Sequence, residues 1–550
     1  MPASNKKSVT RIKGDRPDKF RTGAHPSPGL PCFRAVSSLP SGRASHEALS
    51  VSFMDSPFRV CFFRQQRYTI KRAPHLQHKV NAMKSYYSAA CLIPALLLSG
   101  CLNLSPRYAP APIADMPPLQ YKEEKGWKTA TPGESLERGP WWEMFGDPAL
   151  NALMAKAGNA NQDIAVAAAN LRRAIAQISV AQSAFFPGVS LPASSARSGV
   201  EGTVPQTRYS VGLHTQWEIS FWNALPFFEM TKAQAEASAA DYAAMRLSVQ
   251  ANLAQSYFQL RSLDAQCKLY DSSIAAYAKS VQLTRSQYRG GMVTLTDVAQ
   301  AEAQLASAEA QLTGIERQRS ELEHGIAILT GQMPSSFSLP GAALDAHLPR
   351  IPTGLPSALL ERRPDIASAE RQMAAANEQI GQARAAWFPT LSLNAERTAQ
   401  GTAWHAAPLF AWSVGPSAAL SLFQGGRHLA ESDVAWAAYE SQVANYRRTC
   451  LQAFKEVEDN LSALRLLEKE REAQERAVLS SQTALRLSLS QYRGGMITYL
   501  QVVSTQTAAL TNESNAIRTR GQSLIAAVNL IKALGGGWRA SDMRELVKGR

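Results

Sequence analysis

Two stretches of this chain run without a single glycine or proline: Phe227 to Arg289, 63 residues, and Arg427 to Arg493, 67 residues. Both are rich in Ala, Leu, Gln, Glu and Arg, which are strong helix formers. At about 1.5 Å per residue they read as helices roughly 95–100 Å long. A compact domain does not accommodate such rods. They belong in a coiled coil or in the wall of a helical tunnel. Neither is a membrane-crossing helix, because charges recur every few residues.

The chain also repeats itself. Gln287-Tyr288-Arg289-Gly290-Gly291-Met292 recurs as Gln491-Tyr492-Arg493-Gly494-Gly495-Met496. Phe186-Pro187 recurs as Phe388-Pro389, Asp163-Ile164 as Asp365-Ile366, and Ser210-Val211-Gly212 as Ser413-Val414-Gly415, in one order and at nearly one spacing. The expected organisation is a linker over 101–148, a first unit over 149–340, an inter-unit linker over 341–356, a second unit over 357–538 and a tail over 539–550. Each unit opens with a shorter helix, about Ala149–Ala184 and Ser357–Ala386. Each ends with a helix that follows the Gly-Gly pair. In the second unit Val503, Leu510, Ile517, Leu524 and Ile531 fall seven apart. In the first, Val298, Leu305 and Leu312 do so, then Ile315, Leu322 and Leu329. Heptads mean helices packed side by side, knobs in holes. The Gly pairs sit where a helical hairpin reverses, which needs the positive φ that glycine tolerates.

Between each Phe-Pro and the next long helix the period changes to two. Val211, Leu213, Thr215, Trp217, Ile219 and Phe221 alternate with Ser210, Gly212, His214, Gln216, Glu218 and Ser220. Phe410, Trp412, Val414, Ala418, Leu420 and Leu422 continue the pattern in the second unit, with Pro416 interrupting. Val189/Leu191 and Leu391/Leu393 mark preceding partners. This predicts two strands of about ten residues or slightly more per unit, four per chain. They are apolar on one face and polar on the other, as transmembrane barrel strands are. Trp217, Phe221, Phe410 and Trp412 suit an interfacial girdle. Four strands cannot close a barrel, and an unpaired edge in lipid costs several kcal/mol per group, so a homo-oligomer is expected.

The amino-terminal part has a different character. The net charge is +14, yet residues 1–82 alone carry 15 Lys and Arg against 4 Asp and Glu. The rest is close to neutral and has no basic excess for nucleic acid. Residues 83–100, Met83 to Gly100, read as a secretory leader: Lys84, then a short apolar run. Leu98-Ser99-Gly100-Cys101 resembles a bacterial lipobox, which makes Cys101 the expected lipidated first residue of the mature chain. Leu102 after it resembles outer-membrane sorting. The basic, Pro-rich segment 1–82 then reads as a mis-assigned start ahead of Met83. Cys267 and Cys450 lie at non-equivalent places in the two long helices, so no disulfide between them is expected.

Together these features resemble the TolC-like outer membrane factor family, in particular its lipoprotein branch serving resistance-nodulation-division pumps. The resemblance covers about residues 101–538. It is carried by the lipobox, Trp141-Trp142…Phe145-Gly146-Asp147-Pro148, the Phe-Pro before each strand pair and the doubled Tyr-Arg-Gly-Gly-Met turns. It implies an α+β, mostly α fold with long coiled-coil helices of an α-barrel in two tandem repeats, and four transmembrane strands per chain in a trimeric twelve-stranded β-barrel. It implies an outer-membrane exit duct for small molecules, a periplasmic membrane-fusion adaptor protein docking at the turns, and an inner-membrane pump of the same class as partner. The docking turns are Tyr288, Gly290, Gly291 and Met292 with Gly494, Gly495 and Met496. The implied periplasmic gate joins Tyr492 to Asp297, with Arg289 and Arg493 supplementing or replacing the tyrosine. Gln501 and Ser504 stand where many relatives place acids. The exit Phe221-Trp222-Asn223-Ala224-Leu225-Pro226 lacks the Gly and basic residue seen in Phe423-Gln424-Gly425-Gly426-Arg427, and Pro226 is expected to open its helix.

No catalytic motif is present: neither G-x-S-x-G, a P-loop nor G-x-G-x-x-G occurs, and His214, His324, His347, His405 and His428 show no metal-ligand spacing. An enzyme is therefore not expected, nor a cofactor or metal. The other readings are the duct of a type I protein secretion system and a structural coiled-coil protein of the envelope.

Overall fold

The computed structural model describes residues 103–110, 112, 121–122, 140–349, 351, 360–403 and 407–548. These lie in one unit, Val80–Arg550. The leader, Cys101 and the basic segment 1–82 fall outside the described residues.

The order of elements is α1 (Pro148–Ala160), α2 (Gln162–Ser183), β1 (Gly188–Ser190), β2 (Ala193–Ser198), β3 (Gln206–Glu218), α3 (Phe221–Arg289), α4 (Leu295–Leu329), α5 (Pro364–Ala385), β4 (Thr390–Gly401), β5 (Leu409–Ala419), α6 (Arg427–Arg493), α7 (Tyr499–Ala533) and α8 (Ala540–Lys548). The long helices have 69 and 67 residues, about 100 Å each. Among the described residues no helix is long and apolar enough to cross a membrane.

A helix of that length has an apolar stripe too long for one ordinary partner. Shorter helices placed end to end cover it instead, and α3 is lined in addition by α5 and α7 of the second half. In the first half, α3 packs on the 35-residue α4 along its turn end and on the 22-residue α2 toward the sheet. In the second, α6 packs on α7 and on α5 in the same way. The joints between the shorter helices are built alike. Asn161 ends α1, caps α2 by accepting from the Ile164 amide (3.0 Å), and donates from Nδ2 to the Leu329 carbonyl at the end of α4 (2.9 Å). Arg363, ahead of α5, donates to the Ala533 carbonyl at the end of α7 (3.2 Å). Burial opposes its charge, while Asp365 and Glu456 hold it protonated. At each joint a left-handed glycine leaves room for the approaching chain: a Cβ on Gly331 would collide with the Ala160 carbonyl, and one on Gly535 with that of Arg362.

The heptad positions face the packed side, with Leu524 and Ile531 buried in the main core beside Phe145, Leu150, Tyr257, Phe258, Met373 and Val457. The hairpins touch along α3 and α7. A polar knot ties in the inter-unit linker. Asp264 pairs with Arg261 (2.8 Å) and Arg319 (2.7 Å) and accepts from the Ala342 amide (3.2 Å). The same two arginines donate to the Pro340 and Leu339 carbonyls.

Five features differ from expectation. The first short helix is two helices, because Asn161 takes an extended backbone to make its cap. The alternation of β3 stops at Glu218: Phe221 opens α3, and Ser220 is the residue before its first turn, buried there. Pro226 lies inside α3, on its second turn, where one missing N–H orphans only the Trp222 carbonyl. The strand before β3 is split in two at Leu191-Pro192, although both pieces pair with β3. Pro416 does not interrupt β5; it sits in an edge strand, where a missing N–H is tolerated. Cys267 and Cys450 are free thiols, Cys450 buried.

The knot sets a stability contrast. Asp264→Ala strands the buried Arg261 charge and should cost about 3–5 kcal/mol. Asp459→Ala removes only an exposed pair with Lys455 and should leave the unfolding temperature nearly unchanged. Thermal unfolding in detergent checks this; equal losses would remove the knot from the account.

Candidate functional site

Two regions concentrate the features that sequence alone singled out: the sheet and the glycine turns at the far ends of the hairpins.

The sheet is antiparallel, in the order β1/β2, β3, β4, β5. Its register sorts the side chains without ambiguity. Val211, Ala399 and Phe410 share one row, then Leu213, Arg397 and Trp412, then Thr215, Ala395 and Val414, then Trp217, Leu393 and Pro416. The intervening rows carry the opposite face: Ser210 with Gln400, His214 with Glu396 and Ser413, Gln216 with Asn394, Glu218 with Ser392 and Ser417. The apolar face is uncovered, with Phe410, Trp412 and Val414 at 66%, 77% and 65% exposure. Such exposure on an extended apolar face demands a nonaqueous neighbour. Arg397 is the exception within the central rows of that face. Its guanidinium lies 5.7 Å over the Phe410 ring, one row nearer the loop end of the sheet. Phe221 does not join the aromatic set; it stacks on Phe185 at the head of α3. β1/β2 and β5 each have one side unpaired among the described strands.

The two turns are built identically. The Gly291 and Met292 amides bond the Tyr288 and Gln287 carbonyls (both 2.9 Å), and Gly495 and Met496 do the same to Tyr492 and Gln491 (both 3.0 Å). This is the Schellman closure, with the left-handed residue one past the cap. The positive φ therefore belongs to Gly291 and Gly495, both +72°, and not to Gly290 and Gly494, at −80° and −82°. Met292 and Met496 project outward at 72% and 71% exposure, and Arg289 and Arg493 are exposed beside them.

The tyrosines are not equivalent. Tyr288 is 44% exposed and Tyr492 4%. Tyr492 packs edge-on against Tyr499, with Val281, Ala301 and Val502 around it, so it lies between the two hairpins. Its hydroxyl donates to Thr284 Oγ1 (3.3 Å), and Thr284 donates onward to the Ser280 carbonyl (2.9 Å). Asp297 is engaged elsewhere: its Oδ2 accepts from the Thr294 amide (2.9 Å) and hydroxyl (2.8 Å), a capping box that starts α4. Within one chain the described bonds thus route Tyr492 to Thr284 rather than to Asp297. Burial pushes the Tyr492 hydroxyl pKa up, and the Asp297 field adds to the rise. Sequence reasoning missed Thr284 because helical bonding partners on different hairpins leave no local pattern. It also missed the Asn161 and Arg363 joints. They fall at matching repeat positions, but with different residue types.

The turns generate a separable test. Gly291→Val should cost about 1–2 kcal/mol through forced positive φ. Gly290→Ala should stay within about 0.5 kcal/mol, since a Cβ there meets nothing nearer than 3.5 Å. Hydrogen exchange at the hairpin tip reads both, and matching effects would refute the assignment.

The outer membrane efflux protein family model matches the chain twice, over residues 153–332 and 355–536. The pyoverdine export outer membrane protein OpmQ of Pseudomonas aeruginosa is 31% identical over 474 residues, 83% of this chain and 98% of that protein. The toluene efflux pump outer membrane protein TtgC of Pseudomonas putida is 31% identical over 476 residues, 83% and 96%. Among solved structures, the outer-membrane channel OprN superposes with a TM-score of 0.72 at 29% identity, covering 80% of this chain and all of that one. The open state of the Neisseria gonorrhoeae MtrE channel gives 0.71 at 26% identity, covering 80% and 99%. With a two-faced sheet joined to paired hairpins about 100 Å long, and relatives matching over nearly their whole length, the chain belongs to the outer membrane efflux protein family.

Proposed function

We propose that three copies of this chain form the exit duct of a tripartite efflux pump, each contributing its strands to a twelve-stranded barrel and its hairpins to a periplasmic α-barrel. The observation that carries this is the sheet. Its inner strands are paired, one face is apolar and uncovered, the other is polar, and both edges are open. In hydrocarbon an open edge is untenable, and closure with two further copies pairs every strand. The barrel is then apolar toward lipid and polar toward its lumen. The polar lumen catalyses nothing and admits small molecules, in keeping with relatives named for toluene efflux and pyoverdine export.

On this reading the two tandem units, 149–340 and 357–538, each supply half of the wall. Cys101 carries the lipid anchor in the outer membrane. The exposed tips, Tyr288 and Gly290 to Met292 with Gly494 to Met496, receive a periplasmic adaptor that links the duct to an inner-membrane pump of the resistance-nodulation-division class. The gate lies at the same end. Tyr492 holds the hairpins together through Thr284, and Asp297, Arg289 and Arg493 stand within the same tip to tie it shut between chains.

Native mass spectrometry of the detergent-extracted protein should give a trimer whose chains begin at an acylated Cys101; a monomer, or an unmodified Cys101, would contradict it. Leu213→Arg, on the apolar face, should impair insertion by roughly 2–4 kcal/mol at mid-bilayer. Ser413→Arg on the polar face should be far milder, and equal defects would reverse the face assignment. For the gate, Tyr492→Phe combined with Asp297→Ala should raise single-channel conductance in planar bilayers while the trimer mass persists. Unchanged conductance would exclude both from gating.

A further inference from the structure

The polar face of the sheet carries few charges, and the register places two of them side by side. His214 on β3 is the direct partner of Glu396 on β4, with Ser190 and Ser413 completing the row. Antiparallel partners stand about 4.5–5.5 Å apart, so the two side chains leave the polar face from adjacent positions. Glu396 is anchored: Thr398 Oγ1 donates to its Oε1 (2.5 Å). Thr398 is itself buried, lying in the space that Gly212 leaves open, where a Cβ would meet its Oγ1 at 2.6 Å.

The other charges on this face are few. On β3 they are Arg208 and Glu218; β4 adds only Glu396, and β1, β2 and β5 add none. His214 also opens into the concavity at the foot of the sheet, lined by Gln216, Glu218, Ser220, Asn223 and Gln382, where Glu218 is the one carboxylate. Arg397 and Arg197 project from the opposite face. With a neutral imidazole the face therefore carries one net negative charge per chain, and with a protonated imidazole none.

We propose that His214 and Glu396 form a charge-selectivity ring in the barrel lumen, favouring cations when the imidazoles are neutral and losing that preference when they are protonated. The inference rests on the three-chain duct above. Twelve strands about 4.8 Å apart enclose a radius of roughly 10 Å. Side chains narrow this further, so a permeating ion passes within about one Debye length of the ring at physiological salt. Histidine is the side chain whose charge ordinarily changes between about pH 5 and 8. The sign follows: raising the pH makes the lumen more negative, and cations such as protonated amines gain over anions. The ring thus assigns the duct a preferred cargo charge, set by the pH of the medium.

The experiment is the reversal potential of the intact protein in planar bilayers under a potassium chloride gradient, at about pH 5 and about pH 8. The potassium-to-chloride permeability ratio should be roughly threefold or more higher at the upper pH. His214→Gln should hold the ratio at its high value at both pH values. Glu396→Gln should lower it at both while leaving the pH dependence in place. A wild-type ratio that does not move with pH, or a pH dependence that survives His214→Gln, would overturn the ring while leaving the duct intact. A preparation that opens no pores at all would refute the duct, and the ring with it.

Discussion

A rod of nearly seventy residues cannot bury its apolar stripe against any single neighbour of ordinary length, and the arrangement of this protein follows from how that stripe is covered. Each long helix is met by a 35-residue helix returning from the turn and by a 22-residue helix leading to the sheet. The joint between the two is the weak point, since one helix ends and another starts there with unpaired backbone groups. Asn161 and Arg363 resolve it by different chemistry at the same place, a side-chain amide in one half and a guanidinium in the other, each donating to the last carbonyl of the returning helix. The left-handed glycines beside them make the close approach sterically feasible.

From the joints, order propagates in both directions. Toward the sheet, α2 and α5 deliver the chain to the strands at Phe-Pro steps, and register does the rest: once β3 pairs with β4, a one-residue slip would put every apolar side chain on the polar face. Toward the tips, the same hairpins end in Schellman turns whose outward methionines and arginines are free of the core. Tyr492 is drawn into the hairpin interface there beside Tyr499, and its bond to Thr284 satisfies a hydroxyl that would otherwise be buried without a partner. The duct proposed above follows from one physical demand at the other end, the open edges of a sheet with an apolar face. Its selectivity would be set on the inner face by the few charges that the register brings together.

Much of this was legible in the sequence. The absence of Gly and Pro marked the two long helices, short only of the first turns of α3 that run through Pro226, and side-chain faces needed only the periods of 3.5 and two, because backbone geometry fixes both periodicities regardless of context. The hairpin turns were legible from the glycine pairs. Which glycine takes the positive φ was not, since both members of a pair satisfy the pattern and only the cap position separates Gly291 from Gly290. Likewise, the alternation past Glu218 looked like strand through Phe221, yet the aromatic contact with Phe185 and the start of α3 took precedence.

By itself, then, the sequence determined the two long helices, their partners of matching heptad phase and a sheet with one apolar face, all consequences of local period. Only the tertiary structure decided what depends on residues far apart in the chain meeting. It joined Asp264 to Arg319 and the linker, Asn161 to Leu329, Tyr492 to Thr284 and His214 to Glu396. Those encounters are set by packing register between helices and between strands, and register is a property of the assembled chain rather than of any segment within it.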